Sequence, residues 1–201
     1  MLEIEITNAQ IITIICVLIS AINFAYYIFT VFKKGVKPHL FTWLIWSVIT
    51  AIAAMGQYVG GAGFACLVLA WYSLSTGSIA VLALFRGEKH IARSDYISLT
   101  FCFIALIVWQ LTETPLYSVI IISIIDFVAI YPTIRKSYHK PNEENLFSFM
   151  IFGSTTALSL FALNEYNILT LLYPITIIIA DYSLVLVLLI RRKQLGFKRL
   201  A

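Results

Sequence analysis

The chain has 201 residues, 61% of them hydrophobic, and a formal net charge of +4 at pH 7. Soluble domains are usually about 45–50% apolar, so a water-soluble core of this size cannot bury so much apolar surface, and lipid is the expected solvent. The positive charge does not indicate a nucleic-acid partner, because the basic residues form short clusters between apolar runs, the pattern of a membrane protein.

The apolar runs predict seven membrane helices. Most of them reach the ~17–25 residues that a hydrocarbon core of ~30 Å requires. The fourth is the weakest, since Asp95 and Glu113 bound it closely. The predicted spans are residues 11–32, 41–58, 62–85, 96–111, 116–134, 146–163 and 169–190.

The positions of the charges predict the topology. All 14 Lys and Arg residues follow predicted helices 1, 3, 5 and 7, the last cluster including Lys198 and Arg199. The N-terminus and the other three loops have none, and they carry Glu3, Glu5, Glu113 and Glu165. The positive-inside rule then predicts a plasma (inner) membrane protein with its N-terminus outside and its C-terminus in the cytoplasm. If helix 4 did not cross, the last two basic clusters would lie on the wrong side.

The chain contains an internal repeat. Residues 23–38 align with residues 126–141 without a gap, with identities that include Phe24/Phe127 and Lys33/Lys136. After a three-residue insertion the match resumes, as at Thr50/Thr156. Such a repeat defines the architecture before any other feature does. We therefore predict an all-α membrane protein with a first three-helix repeat at 1–95, a linker helix at 96–114 and a second three-helix repeat with a basic tail at 115–201.

Three crossings alone would start the second repeat on the opposite side of the membrane. Because helix 4 adds a fourth crossing, both repeats enter the membrane from the same side. The prediction is thus two parallel three-helix bundles in a 3+1+3 order, which is a transporter architecture.

Two acids are predicted to lie deep in the membrane. Asp126 and Asp181 each lie ten residues before a Lys or Arg that follows their helix, as do their repeat mates Asn23 and Thr76. At 1.5 Å per residue these four side chains are ~15 Å from the cytoplasmic boundary, close to the midplane where repeat transporters bind substrate. We predict that all four bind substrate and that Asp126 and Asp181 also couple transport to protons. The alternative is that the acids only hydrogen-bond neighbouring helices.

Several aromatic and proline residues complete the predicted site. Trp71, Tyr72 and Tyr182 are candidates for stacking on a substrate, with ordinary packing as the equal alternative. Trp43 and Trp46, near the start of helix 2, are interpreted as anchors in the membrane interface. The two helix prolines, Pro132 and Pro174, are predicted to act as hinges.

The residues that several other classes of function require are missing from the sequence. No lysine lies in mid-helix, which argues against a retinal photoreceptor, and soluble-enzyme motifs are missing from the sequence. The three cysteines have no metal-type spacing, so we expect no metal, no cofactor and no enzymatic activity. His39, His90 and His139 fall in loops and are expected to be solvated. The expected partners are a small-molecule substrate and the lipid bilayer, and a homo-oligomer remains open.

The string from Pro132 to Lys136, followed by Ser137 and Lys140, resembles the proline–glutamine loop of the PQ-loop and SWEET superfamily, with Thr133 in place of the glutamine. The resemblance implies seven helices in a 3+1+3 order and transport of a small polar solute, such as a sugar or a similar metabolite, by alternating access. The KDEL-receptor group resembles the same fold. A receptor that binds a ligand without transporting it is therefore the alternative function.

Overall fold

The computed structural model describes residues 7–111 and 114–196, and these form helices and connections with no β-strand. The all-α prediction is thereby confirmed. Five of the helical segments are long and apolar enough to cross a membrane, which is consistent with membrane localisation. Glu3, Glu5, Glu113, Lys198 and Arg199, which contributed to the predicted topology, lie outside the described residues.

Eight α-helices are described, at positions close to the predicted spans, but the predicted fourth and sixth spans are not among the five segments that are long and apolar enough to cross a membrane. Thr7 and Gln10 form a capping box at the start of the first, and Asn167 and Thr170 form another at the start of the last. The helices are α1 (Asn8–Lys33), α2 (Leu40–Val59), α3 (Cys66–Arg86), α4 (Arg93–Gln110), α5 (Pro115–Ala129), α6 (Tyr131–His139), α7 (Leu146–Ser159) and α8 (Ile168–Gln194).

The fifth predicted span is divided into α5 and α6. The two helices meet at Ile130, directly before Tyr131 and Pro132. Proline has no N–H to donate and its ring crowds the preceding turn, so a regular helix is interrupted near it. Pro174, by contrast, lies inside α8 without ending it.

The helices carry their polarity on the inside. Large apolar side chains point outward along the described helices, with Ile22 71%, Leu74 69% and Leu186 58% exposed. Small polar side chains such as Ser20 and Thr156 are fully buried. This is the reverse of a water-soluble protein, in which large apolar patches are rarely left open, and it suits a helix bundle whose outer surface meets lipid.

The eight helices pack in two groups. In the first, α3 packs against both α1 and α2; in the second, α8 packs against both α5 and α7. The groups meet along two lines, α1 with α7 and α2 with α5, while α4 packs mainly on α5. Each group therefore has its last helix in the middle. Each line of contact between the groups is formed by one helix from each group.

Close helix packing occurs at corresponding places in the two groups. A side-chain carbon on Gly77 of α3 would lie 2.8 Å from Ser47 Oγ of α2, and one on Gly153 of α7 would lie 3.0 Å from the ring of Tyr182 on α8. In the repeat alignment Ser47 corresponds to Gly153 and Gly77 to Tyr182. The small residue thus changes helix between the repeats while the close contact is kept.

The end of the bundle without basic loops is closed by contacts between the groups. Gln57 Nε2 donates to the carbonyl of Thr170 at 3.0 Å, and Asn167 Nδ2 donates to the carbonyl of Gly60 at 2.9 Å. The Gly-rich turn between α2 and α3 lies here. Gly61 and Gly63 have φ of 83° and 64°, a region that glycine enters without strain.

Candidate functional site

A cavity lies between the two groups of helices, lined by side chains from α2, α3, α5, α7 and α8. Its volume is about 40 Å³. Every lining residue except Ile177 is buried. The cavity is therefore narrow, and its walls are largely removed from solvent.

Six of the twelve residues that line the cavity carry aromatic rings. Their contacts are edge-to-face: the ring centroids of Trp43 and Trp46 are 5.2 Å apart, and those of Tyr72 and Phe152 are 5.7 Å apart. Such contacts fix ring orientation in addition to burying apolar area. The lining rings are those of Trp43, Trp46, Tyr72, Phe149, Phe152 and Tyr173.

Most hydroxyl groups of the wall already have partners. Thr76 Oγ1 donates to the carbonyl of Tyr72 at 2.7 Å, and Thr50 Oγ1 donates to that of Trp46. The Tyr72 hydroxyl lies 2.5 Å from Thr155 Oγ1, a contact that joins α3 to α7. By contrast, the indole nitrogens of Trp43 and Trp46 are buried without an acceptor. The polar groups left for a ligand are therefore few.

Asp126 of α5 and Asp181 of α8 both line the cavity. They are 2% and 5% exposed, and atom Oδ2 of each is buried without a hydrogen-bond partner. No lysine, arginine or histidine lines the cavity in the described part of the chain. An isolated charge is very expensive to bury, so these carboxyls require a proton or a cation when the cavity is closed.

The cavity brings together four of the seven predicted substrate-binding residues: Tyr72, Thr76, Asp126 and Asp181. The signal that found the acids was their depth in apolar helices, which the burial of both side chains matches.

The other three lie elsewhere. Asn23 Nδ2 donates to the carbonyl of Ser148 at 3.0 Å, which joins α1 to α7. The ring of Trp71 packs edge-to-face on Phe24 of α1, with centroids 6.1 Å apart. Tyr182 is 41% exposed on the outer side of α8, where its hydroxyl meets Ser154 Oγ at 2.8 Å. Each of these three has a packing or hydrogen-bonding contact away from the cavity.

The sequence interpretation missed two tryptophans of the wall. Trp43 and Trp46, interpreted as interfacial anchors, are only 1% and 8% exposed and face the cavity, so that interpretation is wrong. The repeat contained the missing signal. Trp43 corresponds to Phe149 and Trp46 to Phe152, at the same offset as Phe41 and Phe147. An aromatic pair kept in both repeats is expected to face a shared feature rather than lipid.

The basic end, where α1, α3, α6 and α8 finish, holds a layer of ion pairs. Lys136 contacts Glu144, and their side chains are 2% and 0% exposed. Tyr27 donates to the same carboxylate at 3.3 Å. Burial raises the pKa of Glu144, although Lys136 and Tyr27 oppose the shift. The hydrogen bond from Tyr27 joins this pair, which lies in the second helix group, to α1 of the first.

A second acid of this layer, Glu88, is held as a carboxylate. Burial alone would raise its pKa, but the backbone N–H of His90 at 2.8 Å and Lys140 Nζ at 3.1 Å lower the pKa to about 2. Lys37 and Glu143, 2.8 Å apart, form a further pair between the groups.

His39 is not solvated as the sequence suggested. It is 0% exposed, and its Nε2 lies 3.3 Å from Asp95 Oδ2. Arg135 binds the same carboxylate with two hydrogen bonds, of 3.1 and 2.7 Å. Burial lowers the pKa of His39, although Asp95 opposes the shift. The expectation failed because a loop position says nothing about how neighbouring loops fold over it. His90 and His139 are exposed, as expected.

Among the described residues no cluster of three or more His, Cys, Asp or Glu side chains is arranged to hold a metal ion. The described part of the chain is thus helical without strands, consistent with a membrane protein, and it contains a narrow cavity lined by aromatic and acidic side chains. Comparison of the chain with family models, curated proteins and solved structures finds no significant match. The resemblance to the PQ-loop and SWEET superfamily therefore rests on the sequence string and the repeat alone.

Proposed function

We propose that this protein is a membrane carrier for a small polar solute and that it works by alternating access. The observation that carries the proposal is the narrow cavity between two groups of helices, with two buried carboxyls that have no basic partner among the described residues. Ionisable groups deep in a membrane are costly, and their usual justification is a substrate or proton pathway.

The proposal includes the 3+1+3 arrangement, with α1–α3 as one repeat, α4 as linker and α5–α8 as the other. Three observations on helix packing support it. The last helix is central in each group, α1 contacts α7 as α5 contacts α2, and the close glycine contacts lie at corresponding positions of the two repeats. Parallel repeats of this kind are related by an axis along the membrane normal, with substrate bound between them. In the same proposal, the N-terminus is outside and the basic end is cytoplasmic.

The wall of the cavity supports the same symmetry. Trp43 and Phe149, Trp46 and Phe152, and Thr76 and Asp181 are pairs of repeat mates, and all six side chains line the cavity. A cavity lined by equivalent positions of both repeats opens to one side or the other when the repeats rock. The two ends carry contacts that must break in turn, at the ion-pair layer and at Gln57 and Asn167.

Proton coupling is part of the proposal. Closing the cavity around two ionised carboxyls without a counter-ion costs far more than protonating at least one of them. The other titratable groups that face Asp126 are Asp181 and Tyr173 on α8 and Cys102 on α4. None of these is basic, so a neutral substrate would enter the closed state together with a proton.

The test is counterflow in liposomes that contain the purified protein. Labelled solutes from a panel of sugars, amino acids and amines are offered outside vesicles preloaded with the unlabelled solute. A carrier accumulates label transiently, and the accumulation disappears in an Asp126→Asn/Asp181→Asn variant. A receptor on the same scaffold, the alternative, would be stabilised by its ligand in solution but would give no counterflow with any member of the panel.

A further inference from the structure

The proposed function leaves the chemical class of the solute open. We infer that the cavity recognises a small organic cation, an amine or quaternary ammonium group on a compact apolar body. This inference rests on the proposed binding site at Asp126 and Asp181, and it deepens the proposed function by naming the class of ligand.

The first argument is charge. Asp126 and Asp181 are both at least nine-tenths buried, and each presents an unpartnered carboxyl oxygen. The basic side chains that neutralise other buried acids, such as Lys136 and Arg135, are engaged at the basic end. A cationic ligand supplies the counter-ion that the described residues do not bring to the cavity.

The second argument is the wall. A cation is attracted to the face of an aromatic ring within about 6 Å of its centroid, and most strongly to tryptophan. The cavity offers two tryptophans together with Tyr72, Phe149, Phe152 and Tyr173. Clusters of aromatic rings beside a carboxylate are the usual way in which proteins bind alkylated ammonium groups.

The third argument is what the wall lacks. A sugar presents many hydroxyl groups, and each needs a partner once it is buried. The hydroxyls of Thr50, Thr76 and Tyr72 already bond within the protein. Among the polar groups of the wall that make no hydrogen bond are one carboxyl oxygen of each acid and the indole N–H groups of Trp43 and Trp46. Such a wall satisfies one charged group well and a polyhydroxylated ring poorly.

The inference is tested by binding, independently of transport. The full-length protein in detergent is titrated with choline and with tetramethylammonium while its thermal unfolding is followed, since a ligand of the folded state raises the apparent stability. The neutral isostere of choline, 3,3-dimethyl-1-butanol, and glucose are titrated in parallel. We expect saturable stabilisation by the cations and at least roughly tenfold weaker binding of the two neutral probes.

Three variants test whether the stabilisation by cations depends on the two carboxyls of the cavity. Asp126→Asn and Asp181→Asn should each weaken cation binding roughly tenfold or more, whereas Glu165→Gln, which makes the same chemical change in an exposed loop, should not alter it. The melting transition of each variant without ligand reports whether it folds.

The outcomes distinguish this inference from the carrier proposal. Stabilisation by glucose or by the neutral isostere equal to that by choline would overturn the inference, as would unchanged cation binding in both Asp variants or no saturable effect of either cation. Cation binding that is weakened in the two Asp variants, without any counterflow, would uphold the inference and overturn the carrier proposal. Counterflow of neutral solutes alone would do the reverse.

Discussion

Buried acids occur in two regions of this protein, and their surroundings differ. At the basic end, Glu144 is buried against Lys136, and Asp95 against Arg135. In the cavity, Asp126 and Asp181 are as deeply buried but have no basic partner. An acid with its own cation holds neighbouring segments together. A buried acid without a basic partner needs a proton or an external cation to offset the cost of burying its charge. The comparison therefore distinguishes a structural layer from the proposed binding site by the partners of the charges rather than by their burial.

The largest expected effect comes from breaking a pair at the basic end. Lys136→Met leaves Glu144 buried without its cation, and removing one member of a buried pair typically costs about 3–5 kcal/mol. We expect a loss of that size in the free energy of unfolding in detergent. The double variant Lys136→Met/Glu144→Gln should recover most of it, because no charge is then left unpaired. A single variant as stable as the wild type would mean that the pair is not structural.

Glu88 gives a smaller effect with a defined pH range. Because its pKa in the folded state is about 2, below the usual 4.5, the carboxylate stabilises the fold above pH 4.5, and this contribution is lost as the pH falls towards 2. Glu88→Gln should cost about 1–2 kcal/mol at neutral pH and should flatten the decline of stability over that range. Thermal unfolding between pH 7 and pH 3 measures both. Parallel curves for wild type and variant would contradict the prediction.

Removing the Tyr72 hydroxyl, which joins two helices of the cavity wall, should lower the free energy of unfolding by less. Tyr72→Phe removes the contact between α3 and Thr155 of α7 but keeps the ring. Thr155 retains its bond to the carbonyl of Ile151 at 2.7 Å, so the expected loss is about 1 kcal/mol in the free energy of unfolding. Tyr182→Phe, whose hydroxyl contact is exposed on the outer face, is the matched control and should cost less. Equal losses would indicate that the buried contact carries no special weight.

Helices were predictable to within a few residues because a membrane helix is defined by a long apolar run, and its ends are defined by charges. Asp126 and Asp181 were identified because an acid is conspicuous in such a run. Trp43 and Trp46 were misinterpreted because hydropathy does not say which side of a helix faces the interior.

Local pattern also says nothing about contacts between distant loops. The burial of His39 depends on Asp95 and Arg135, which lie 56 and 96 residues along the chain. No pattern within one loop contains that contact. The repeat, by comparison, does relate distant positions, and it was the one source of such information in the sequence.

The most direct test of the central claim, that the unpartnered acids act in transport, is uptake into liposomes across a pH series. Wild type, Asp126→Asn and Asp181→Asn are compared with Glu165→Gln, using the solute that gives counterflow. Asn keeps the volume of Asp and removes a buried ionisable group, so both variants should fold with a change in stability of less than ~1 kcal/mol. We predict that Asp126→Asn abolishes the pH dependence of uptake, that Asp181→Asn reduces it, and that Glu165→Gln leaves it unchanged. If both Asp variants keep the rate and the pH profile of the wild type, the acids are structural and the account is wrong.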